Sequence, residues 1–471
     1  MPHQRHFQHE GLVHQDLEPA FVAIPCGTKS EFREPSRLLV HQRRDPEFLR
    51  EAGQLASRRC SLLQIHEVRF HATFGKKPQR FSRLRVFLCP ENLNVHTRNV
   101  GIMERRGQPA PSLVLSFLLV NRTSELTYTP AWWVPGAHLQ TLWGRLFRRP
   151  PVVMTRVELW PTPDDDEIEV HRLDAPAGSD PRTPRLLLLH GLEGTIRSNY
   201  LRGTLAQARA RGWSADVLIF RGCGTTMNRQ RRMYHSGETC DLNLVVQRLL
   251  HEHPTQPLVL AGFSLGGNVL LKWLGEQGSD LPPQIRATAA VSVPFDLERG
   301  ARAIEHGFSR LYTRHFLRSL KRKARAKLKQ FPGLFDVSKL DRAQTLYDFD
   351  DAITAPVHGF RDAHDYYSRS SSLQYLSAIR VPTLLLSASN DPFLPRDICN
   401  SVAIVADKSS FLVAELLTSG GHVGFVSGRV PVRPRYYAEE RVVEFLANAI
   451  EGNPWSQSIR DIRVRPDQSV C

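Results

Sequence analysis

The chain has 471 residues, and 41% of them are apolar, enough to form a sizeable core in one large domain or two ordinary ones. Its seven cysteines are scattered and form no CxxC pair, which excludes a disulfide framework or a cysteine zinc site and favours reduced thiols in a cytoplasmic protein. The net charge of +15 would favour anionic partners, but much of it is dispersed arginine, which is typical of a solvated surface.

The first part of the chain, residues 1–125, shows no sustained helical or alternating pattern of apolar residues. We predict that this segment is disordered, or that it lies upstream of a translation start at Met103. The apolar stretch at 112–120 is too short to span a bilayer. We expect no signal peptide, because no apolar stretch follows a basic start.

From about residue 157 the pattern changes to short apolar strands that alternate with helices. The strands are predicted at 157–160, 167–173, 185–189, 215–220, 258–261, 287–293, 382–387 and 411–417, and helices at 199–211, 241–252 and 439–450. Such alternation predicts an α/β fold with a mainly parallel sheet that helices cover on both faces. We expect one such domain over 126–455 and a tail at 456–471, with catalytic residues at the carboxyl ends of the strands.

A glycine-rich turn, Gly262-Phe263-Ser264-Leu265-Gly266, joins one of these strands to a helical pattern. A strand that runs into a helix through G-x-S-x-G is the context in which the serine hydroxyl is exposed on a sharp, strained turn. Side chains two residues before and after the serine would collide with backbone, so glycine is needed at both places. Taken alone, the pentapeptide fits a turn without chemistry equally well.

A serine nucleophile needs a base, and the base needs an acid that orients it. Asp391 and His422 follow the strands at 382–387 and 411–417, in the chain order Ser, Asp, His that this kind of fold uses. Asp296 also follows a strand and is the alternative acid. His235 precedes the serine and therefore breaks the order.

A tetrahedral intermediate also needs backbone N–H donors for its oxyanion. We assign one to Leu265, at the start of the helix after the serine, and one to Leu192, in the loop His190-Gly191-Leu192-Glu193-Gly194. The presence of all these elements in order predicts that Ser264 is a nucleophile. Cys223 is interpreted as structural, and Arg221 as the anchor of a loop.

Seven motifs together carry a resemblance to a known family. They are GAHLQT at 136–141, HGLEG at 190–194, RGCG at 221–224, YHSGET at 234–239, the serine turn, NDPF at 390–393 and GGHVGF at 420–425. With these motifs the chain resembles the YheT-like branch of the α/β-hydrolase superfamily, over residues 130 to about 450. The resemblance implies a charge-relay system of Ser264, Asp391 and His422 in an esterase or lipase that acts without a cofactor or metal.

A long insertion at about 296–380 interrupts the alternation, where such hydrolases often carry a cap over the active site. Residues 306–335 contain nine Lys and Arg and no acid. An apolar stripe is predicted from Leu311, Phe316, Leu320, Ala324 and Leu328. Two interpretations remain open: a cap helix with a solvated charged face, or a basic amphipathic segment at 310–329 that contacts a membrane surface peripherally. Nucleic-acid binding is not expected, because no recognised module accompanies the charge.

The predicted function is that of a serine carboxylester hydrolase that cleaves short-chain esters or monoacylglycerol-type lipids through an acyl-enzyme. An acyltransferase would use the same residues with an alcohol in place of water. A non-enzymatic membrane-surface protein is the alternative from another class, and the complete triad argues against it.

Overall fold

The computed structural model describes residues 126–180 and 182–452, together with the backbone of six short strands in the first 125 residues. The chain divides into two units, Met1–Glu125 and Leu126–Cys471. In the first unit the strands are β1 (Ala20–Ala23), β2 (Leu39–His41), β3 (Ile65–Val68), β4 (His71–Phe74), β5 (Lys77–Arg80) and β6 (Leu84–Phe87). The predictions for residues 1–125 and for the tail at 456–471 fall mostly outside the described residues and stay predictions.

The second unit is built on an eight-stranded sheet. Its strands are β7 (Arg156–Pro161), β8 (Glu167–Leu173), β9 (Arg185–Leu189), β10 (Ser214–Ile219), β11 (Leu258–Phe263), β12 (Ile285–Val291), β13 (Thr383–Ala388) and β14 (Leu412–Leu417), with a separate hairpin of β15 (Val426–Ser427) and β16 (Arg435–Tyr436). The order across the sheet is β14-β13-β12-β11-β9-β10-β8-β7, and only β8 with its two neighbours pairs antiparallel. Strands β9, β10, β11 and β13 are buried along their whole length, as continuous apolar runs predict.

Within the described residues of the second unit, twelve α-helices accompany the sheet. In chain order they are α1 (Ala137–Phe147), α2 (Asn199–Ala210), α3 (Cys240–Glu252), α4 (Leu265–Gln277), α5 (Leu297–Ala303), α6 (Arg310–Gln330), α7 (Val337–Arg342), α8 (Leu346–Phe349), α9 (Ala355–His358), α10 (Ala363–Ser370), α11 (Ile398–Ala406) and α12 (Tyr437–Ile450). The predicted bounds of the strands and helices of the sheet layer agree with these to within about two residues, the usual uncertainty of helix ends. Helix α1 was not predicted as a helix, although Leu139, Leu142 and Leu146 recur at helical spacing; Gln140 is its single buried residue.

The insertion between β12 and β13 is helical and comprises α5 to α10. It has a hydrophobic cluster of its own, which includes Leu317 and Ala324 of α6 with Leu340, Phe349 and Ile353. The prediction of an α/β fold with a mainly parallel sheet, flanking helices and a helical cap insertion is therefore confirmed.

Helix α6 is the basic helix of the insertion, but the predicted apolar stripe is partly wrong. Ala324 is buried, whereas Leu311 is exposed, and the buried face is completed by Tyr312, Leu317 and Lys327. The Lys327 ammonium donates hydrogen bonds to the main-chain carbonyls of Asn228 and Gln230. The helix packs over this loop, whose carbonyl groups need donors, so that part of the positive charge faces the protein and not the solvent.

The strand order creates a crevice at the carboxyl edge of the sheet. Strand β9 pairs with β10 on one side and with β11 on the other. The chain therefore leaves β9 in one direction and leaves β11 in the opposite one, which is the position where open α/β sheets bind ligands. Within 126–180 and 182–452, no helix is both long and apolar enough to cross a membrane.

Candidate active site

Ser264 lies on a strained turn between β11 and α4. Its backbone has φ 53° and ψ −120°, a conformation that non-glycine residues rarely adopt. A Cβ at Gly262 would lie 2.5 Å from the carbonyl oxygen of Gly266, and a Cβ at Gly266 would overlap the carbonyl oxygen of His190. The two glycines thus allow the tight turn that presents the serine side chain to the crevice.

The structure brings Ser264, His422 and Asp391 together from three separate loops. The distance from Ser264 Oγ to His422 Nε2 is 2.9 Å, and that from His422 Nδ1 to Asp391 Oδ2 is also 2.9 Å. An ionised carboxylate can only accept hydrogen bonds, so Nδ1–H donates to Asp391 and Nε2 accepts from the serine hydroxyl. Asp391 is buried, and its Oδ1 accepts a hydrogen bond from the main-chain N–H of Phe393.

Residues around His422 hold its ring in this position. Its main-chain N–H donates to Thr141 Oγ1 of α1, and that of Val423 donates to Ser292 Oγ. The ring of Phe393 stacks on the imidazole with 4.0 Å between centroids. Thr141 and Phe393 belong to the GAHLQT and NDPF motifs, but their contacts with the histidine were not predicted, because only the fold brings these segments together.

The alternative residues lie in other arrangements. Asp296 is the N-cap of α5, where its side chain accepts a hydrogen bond from the N–H of Arg299. The ring of His235 packs against that of His358 in the cavity wall, with 4.6 Å between centroids. Burial lowers the pKa of His235, so this histidine is neutral at physiological pH.

The loop after β9 lies beside Ser264, since a Cβ at Gly191 would lie 3.1 Å from the Ser264 Cβ. The N–H groups of Gly191 and Glu193 donate to the hydroxyls of Tyr200 and Tyr234, each at 2.9 Å. The N–H groups of Leu192, between them, and of Leu265, in the first turn of α4, have no hydrogen-bond partner within the described part of the chain. Leu192, Leu265 and Ser264 line the same cavity.

His190 holds this loop in place. Its Nε2 accepts a hydrogen bond from the N–H of Phe220, so Nδ1 carries the proton and donates to the carbonyl of Gly191. Burial lowers the pKa of His190 to about 4, which keeps the ring neutral and both hydrogen bonds in place at neutral pH.

Glu193 links the same loop to the cap. Lys323 of α6 lies 2.6 Å from Glu193 Oε1 and also donates to Cys223 Sγ at 3.1 Å. The hydroxyl of Tyr234 donates to the same carboxylate. Burial raises the pKa of the Cys223 thiol to about 11, so it stays protonated, in agreement with a structural cysteine.

Arg221, of the RGCG motif, is fully buried and forms ion pairs with three carboxylates. Asp164 and Asp166 belong to the turn between β7 and β8, and Asp241 to the first turn of α3. Arg221 therefore anchors the loop after β10, as predicted, and it does not line the cavity that contains Ser264.

One cavity of about 910 Å³ contains the Ser264 and His422 side chains. Its walls come from the loops of the sheet, from α1 and from the cap helices. Most lining side chains are apolar or aromatic, including Met233, Phe316 and Tyr366. Among the residues that the structure describes, no group of three or more His, Cys, Asp or Glu side chains is placed to hold a metal ion.

Comparison with known proteins agrees with this architecture. A family described as "alpha/beta hydrolase fold" matches residues 184–408. The "Putative esterase YheT" of Escherichia coli is 36% identical over 331 residues, which cover 70% of this chain and 95% of that protein. "Phospholipase ABHD3" of Mus musculus is 30% identical over 69% of this chain and 79% of that protein. "Monoacylglycerol lipase" of Saccharomyces cerevisiae is 31% identical over 56% of this chain and 60% of that protein. The chain therefore belongs to the α/β-hydrolase fold family, in the YheT-like branch that its motifs indicate.

Proposed function

We propose that this carboxylic ester hydrolase uses Ser264 as a nucleophile and passes through an acyl-enzyme. The observation that carries the proposal is the continuous pair of 2.9 Å hydrogen bonds from Ser264 through His422 to Asp391, beside a large cavity. Leu192 and Leu265 also line this cavity, and their unpartnered N–H groups are the proposed donors of the oxyanion hole.

In the first half-reaction, His422 removes the hydroxyl proton of Ser264 while Oγ attacks the ester carbonyl carbon. Asp391 keeps the imidazole oriented and stabilises the imidazolium. The oxyanion accepts hydrogen bonds from Leu192 and Leu265. The intermediate then collapses, and the departing alcohol takes the proton from His422. In the second half-reaction, His422 activates a water molecule that releases the acid and restores the Ser264 hydroxyl.

The proposed substrates are short-chain esters or monoacylglycerol-type lipids. A cavity of about 910 Å³ with a mainly apolar lining accommodates an acyl chain. The names of the mouse and yeast relatives, a phospholipase and a monoacylglycerol lipase, support an ester with a lipid character. The proposal also includes a cytoplasmic location with peripheral membrane contact through the basic segment 310–329.

The test of this proposal is the variant Ser264→Ala. We expect it to lose covalent labelling by a fluorophosphonate and to lose on the order of 10⁶ in kcat for p-nitrophenyl butyrate, because the nucleophile is gone. Ser198→Ala, at another serine of the cavity lining, is the matched control and should label and turn over normally. Retention of labelling in Ser264→Ala would reject the proposed nucleophile.

An acyltransferase would use the same residues. It differs in the acceptor, so adding a primary alcohol to the assay separates the two: a transferase forms the new ester in preference to the free acid. If the wild-type chain neither hydrolyses esters nor forms new ones, the non-enzymatic alternative would be favoured.

A further inference from the structure

The cavity opens between α1 and the start of α6. Leu146 of α1, Phe308 and Leu311 line the cavity, yet they are 61%, 48% and 49% exposed. Side chains that face both the cavity and the solvent mark the rim of an opening. The two elements touch there, because His138 of α1 packs its ring on Phe308 at 4.6 Å and contacts the Tyr312 hydroxyl through Nδ1 at 3.2 Å.

Further large apolar side chains are exposed on α1, the helix that forms one side of this opening. Leu139 and Phe147 of α1 are 46% and 61% exposed, and Leu139, Leu142 and Leu146 follow one another at helical spacing. With Phe308 and Leu311 they form a group of exposed apolar residues on adjoining elements. Apolar residues that are exposed singly need no explanation, but a contiguous group of them marks an interaction site.

Positive charges lie among these apolar side chains. Arg310, Arg314 and Arg318 recur every four residues along the exposed side of α6, and Arg145 lies on the rim. Arg145 and Arg318 both contribute, after burial, to lowering the pKa of His315, so α1 and α6 contribute charge to one region. In the part of the chain that the structure describes, none of these four arginines forms an ion pair with a carboxylate.

We define the mouth face by nine residues: Leu139, Arg145, Leu146, Phe147, Phe308, Arg310, Leu311, Arg314 and Arg318. We propose that the mouth face binds the surface of an anionic lipid bilayer. Its apolar side chains enter the boundary between headgroups and acyl chains, and its arginines contact the anionic headgroups. An ester in the bilayer then reaches Ser264 through the opening without crossing water, a step that rests on the proposed function.

The chemistry of the mouth face favours a bilayer over an acidic protein. Exposed apolar residues and arginines without acids match the two layers of an anionic membrane surface, one apolar and one negative. The opening of a mainly apolar cavity lies within this face. A bilayer at this face supplies lipid esters directly to the cavity, whereas an acidic protein supplies no substrate. The face also differs from the basic segment 310–329 considered alone, since Lys323 and Lys327 of that segment point into the protein.

The experiment compares full-length chains for binding to sedimented vesicles. The docking variant combines Phe147→Ser with Arg310→Gln, Arg314→Gln and Arg318→Gln, and none of these four residues lines the cavity. The control variant also removes one large apolar side chain and three positive charges, but from exposed positions outside the mouth face. Its substitutions are Ile404→Ser, Arg209→Gln, Arg286→Gln and Lys408→Gln. Both are made with Ser264→Ala, so that the vesicles are not hydrolysed.

We expect the parent chain to bind phosphatidylglycerol vesicles and to bind phosphatidylcholine vesicles much less. Each arginine near an anionic surface increases the partition coefficient roughly fivefold. The docking variant, which lacks three of them, should therefore bind the anionic vesicles about 100-fold more weakly than the parent, whereas the control should keep most of its binding. Equal losses in the two variants, or failure of the parent to bind anionic vesicles, would overturn the proposal. Binding to polyglutamate in place of vesicles would assign the face to an acidic protein.

A kinetic comparison separates this inference from the proposed function. With Ser264 intact, the docking variant should hydrolyse soluble p-nitrophenyl butyrate like the wild type, but should hydrolyse a monoacylglycerol in anionic vesicles more slowly. Vesicle binding without hydrolysis of either substrate would reject the proposed function and leave the mouth face supported. An equal loss on both substrates would contradict docking.

Discussion

At the residue scale, Asp391 and Asp296 show how two similar positions acquire different chemistry. Both follow a strand at the carboxyl edge of the sheet. Asp391 is buried and bonded to the His422 ring, whereas Asp296 uses its carboxylate to cap α5. The difference depends on which element follows each strand, because a helix that starts at once takes the carboxylate as its N-cap.

The two carboxylates make a matched pair for mutation. Asp391→Asn should cost on the order of 10⁴ in kcat, since an amide in this position favours the wrong histidine tautomer. Asp296→Asn should leave kcat within a few-fold, because asparagine also caps helices well. Steady-state kinetics on p-nitrophenyl butyrate measures both, and a reversal of the two effects would identify Asp296 as the orienting acid.

Asp350 is a carboxylate of the cavity wall outside the proposed triad. It accepts hydrogen bonds from the hydroxyls of Thr354 and Tyr367, both at 2.6 Å. Burial raises its pKa from 3.8 to about 6. The folded protein therefore binds this proton more tightly than the unfolded chain. The resulting stabilisation is complete below about pH 4 and is lost as the pH rises through 6.

This pKa predicts a pH-dependent effect of Asp350→Asn on stability. The free energy of unfolding of the variant relative to wild type should increase between pH 4 and pH 7, by about 1–2 kcal/mol once solvent in the cavity is allowed for. Above pH 7 the difference should be constant. Urea unfolding of both proteins at several pH values measures it, and a difference independent of pH would contradict an elevated pKa.

At the element scale, different faces of α6 contact the cap cluster, the loop after β9 and the solvent. Leu317 and Ala324 pack in the cap cluster, and Lys323 reaches the loop after β9. Three arginines on another face are exposed to solvent: Arg310, Arg314 and Arg318. Lys323 is of special interest, because the loop that it holds carries the N–H of Leu192. The helix thereby connects the cap to the proposed oxyanion hole.

Loss of this connection should lower activity without unfolding the protein. Lys323→Met leaves Glu193 without its cation, and we expect kcat/KM to fall about 10- to 100-fold, the range for losing a hydrogen bond to a charged group. Arg325→Met is the control on the same helix, since its ion pair with Asp341 is exposed and should matter little. If the two variants have equal activity, Lys323 does not position the loop.

At the scale of the whole molecule, the residues assigned to the mechanism belong to one of the two units. All the residues assigned to the mechanism, from His190 to His422, lie in Leu126–Cys471, and so do the sheet and the main hydrophobic core. The prediction that residues 1–125 are disordered or not translated therefore has a direct test.

A truncated chain that begins at Ser124 should fold, label with a fluorophosphonate and turn over soluble esters like the full chain. A disordered segment buries little apolar surface, so its removal should leave the melting temperature within a few degrees. Thermal unfolding and labelling measure this. An insoluble or inactive truncated chain, beside an active full chain, would show that the segment is a structural part of the enzyme.

The amino-acid sequence by itself determined the strands, the serine turn and the order Ser264, Asp391, His422. Buried parallel strands require continuous apolar runs, and a sharp turn requires glycine, so these features can be read locally. For the same reason the α/β fold class was predictable.

Only the tertiary structure decided which side chains meet. Thr141 contacts His422, and Lys323 contacts Glu193 in the loop after β9; both contacts join residues more than 100 positions apart in the chain. Phe393, which stacks on His422, is nearer in the chain but belongs to a different loop. Helix α1 carries apolar residues at helical spacing, and only the tertiary structure shows that none of them is buried and that Gln140 is. Lys323 and Lys327 look like solvated charges, because periodicity reports the residue type on a helix face and not the element that packs against it. The cavity, its opening and the charge around that opening arise from this packing.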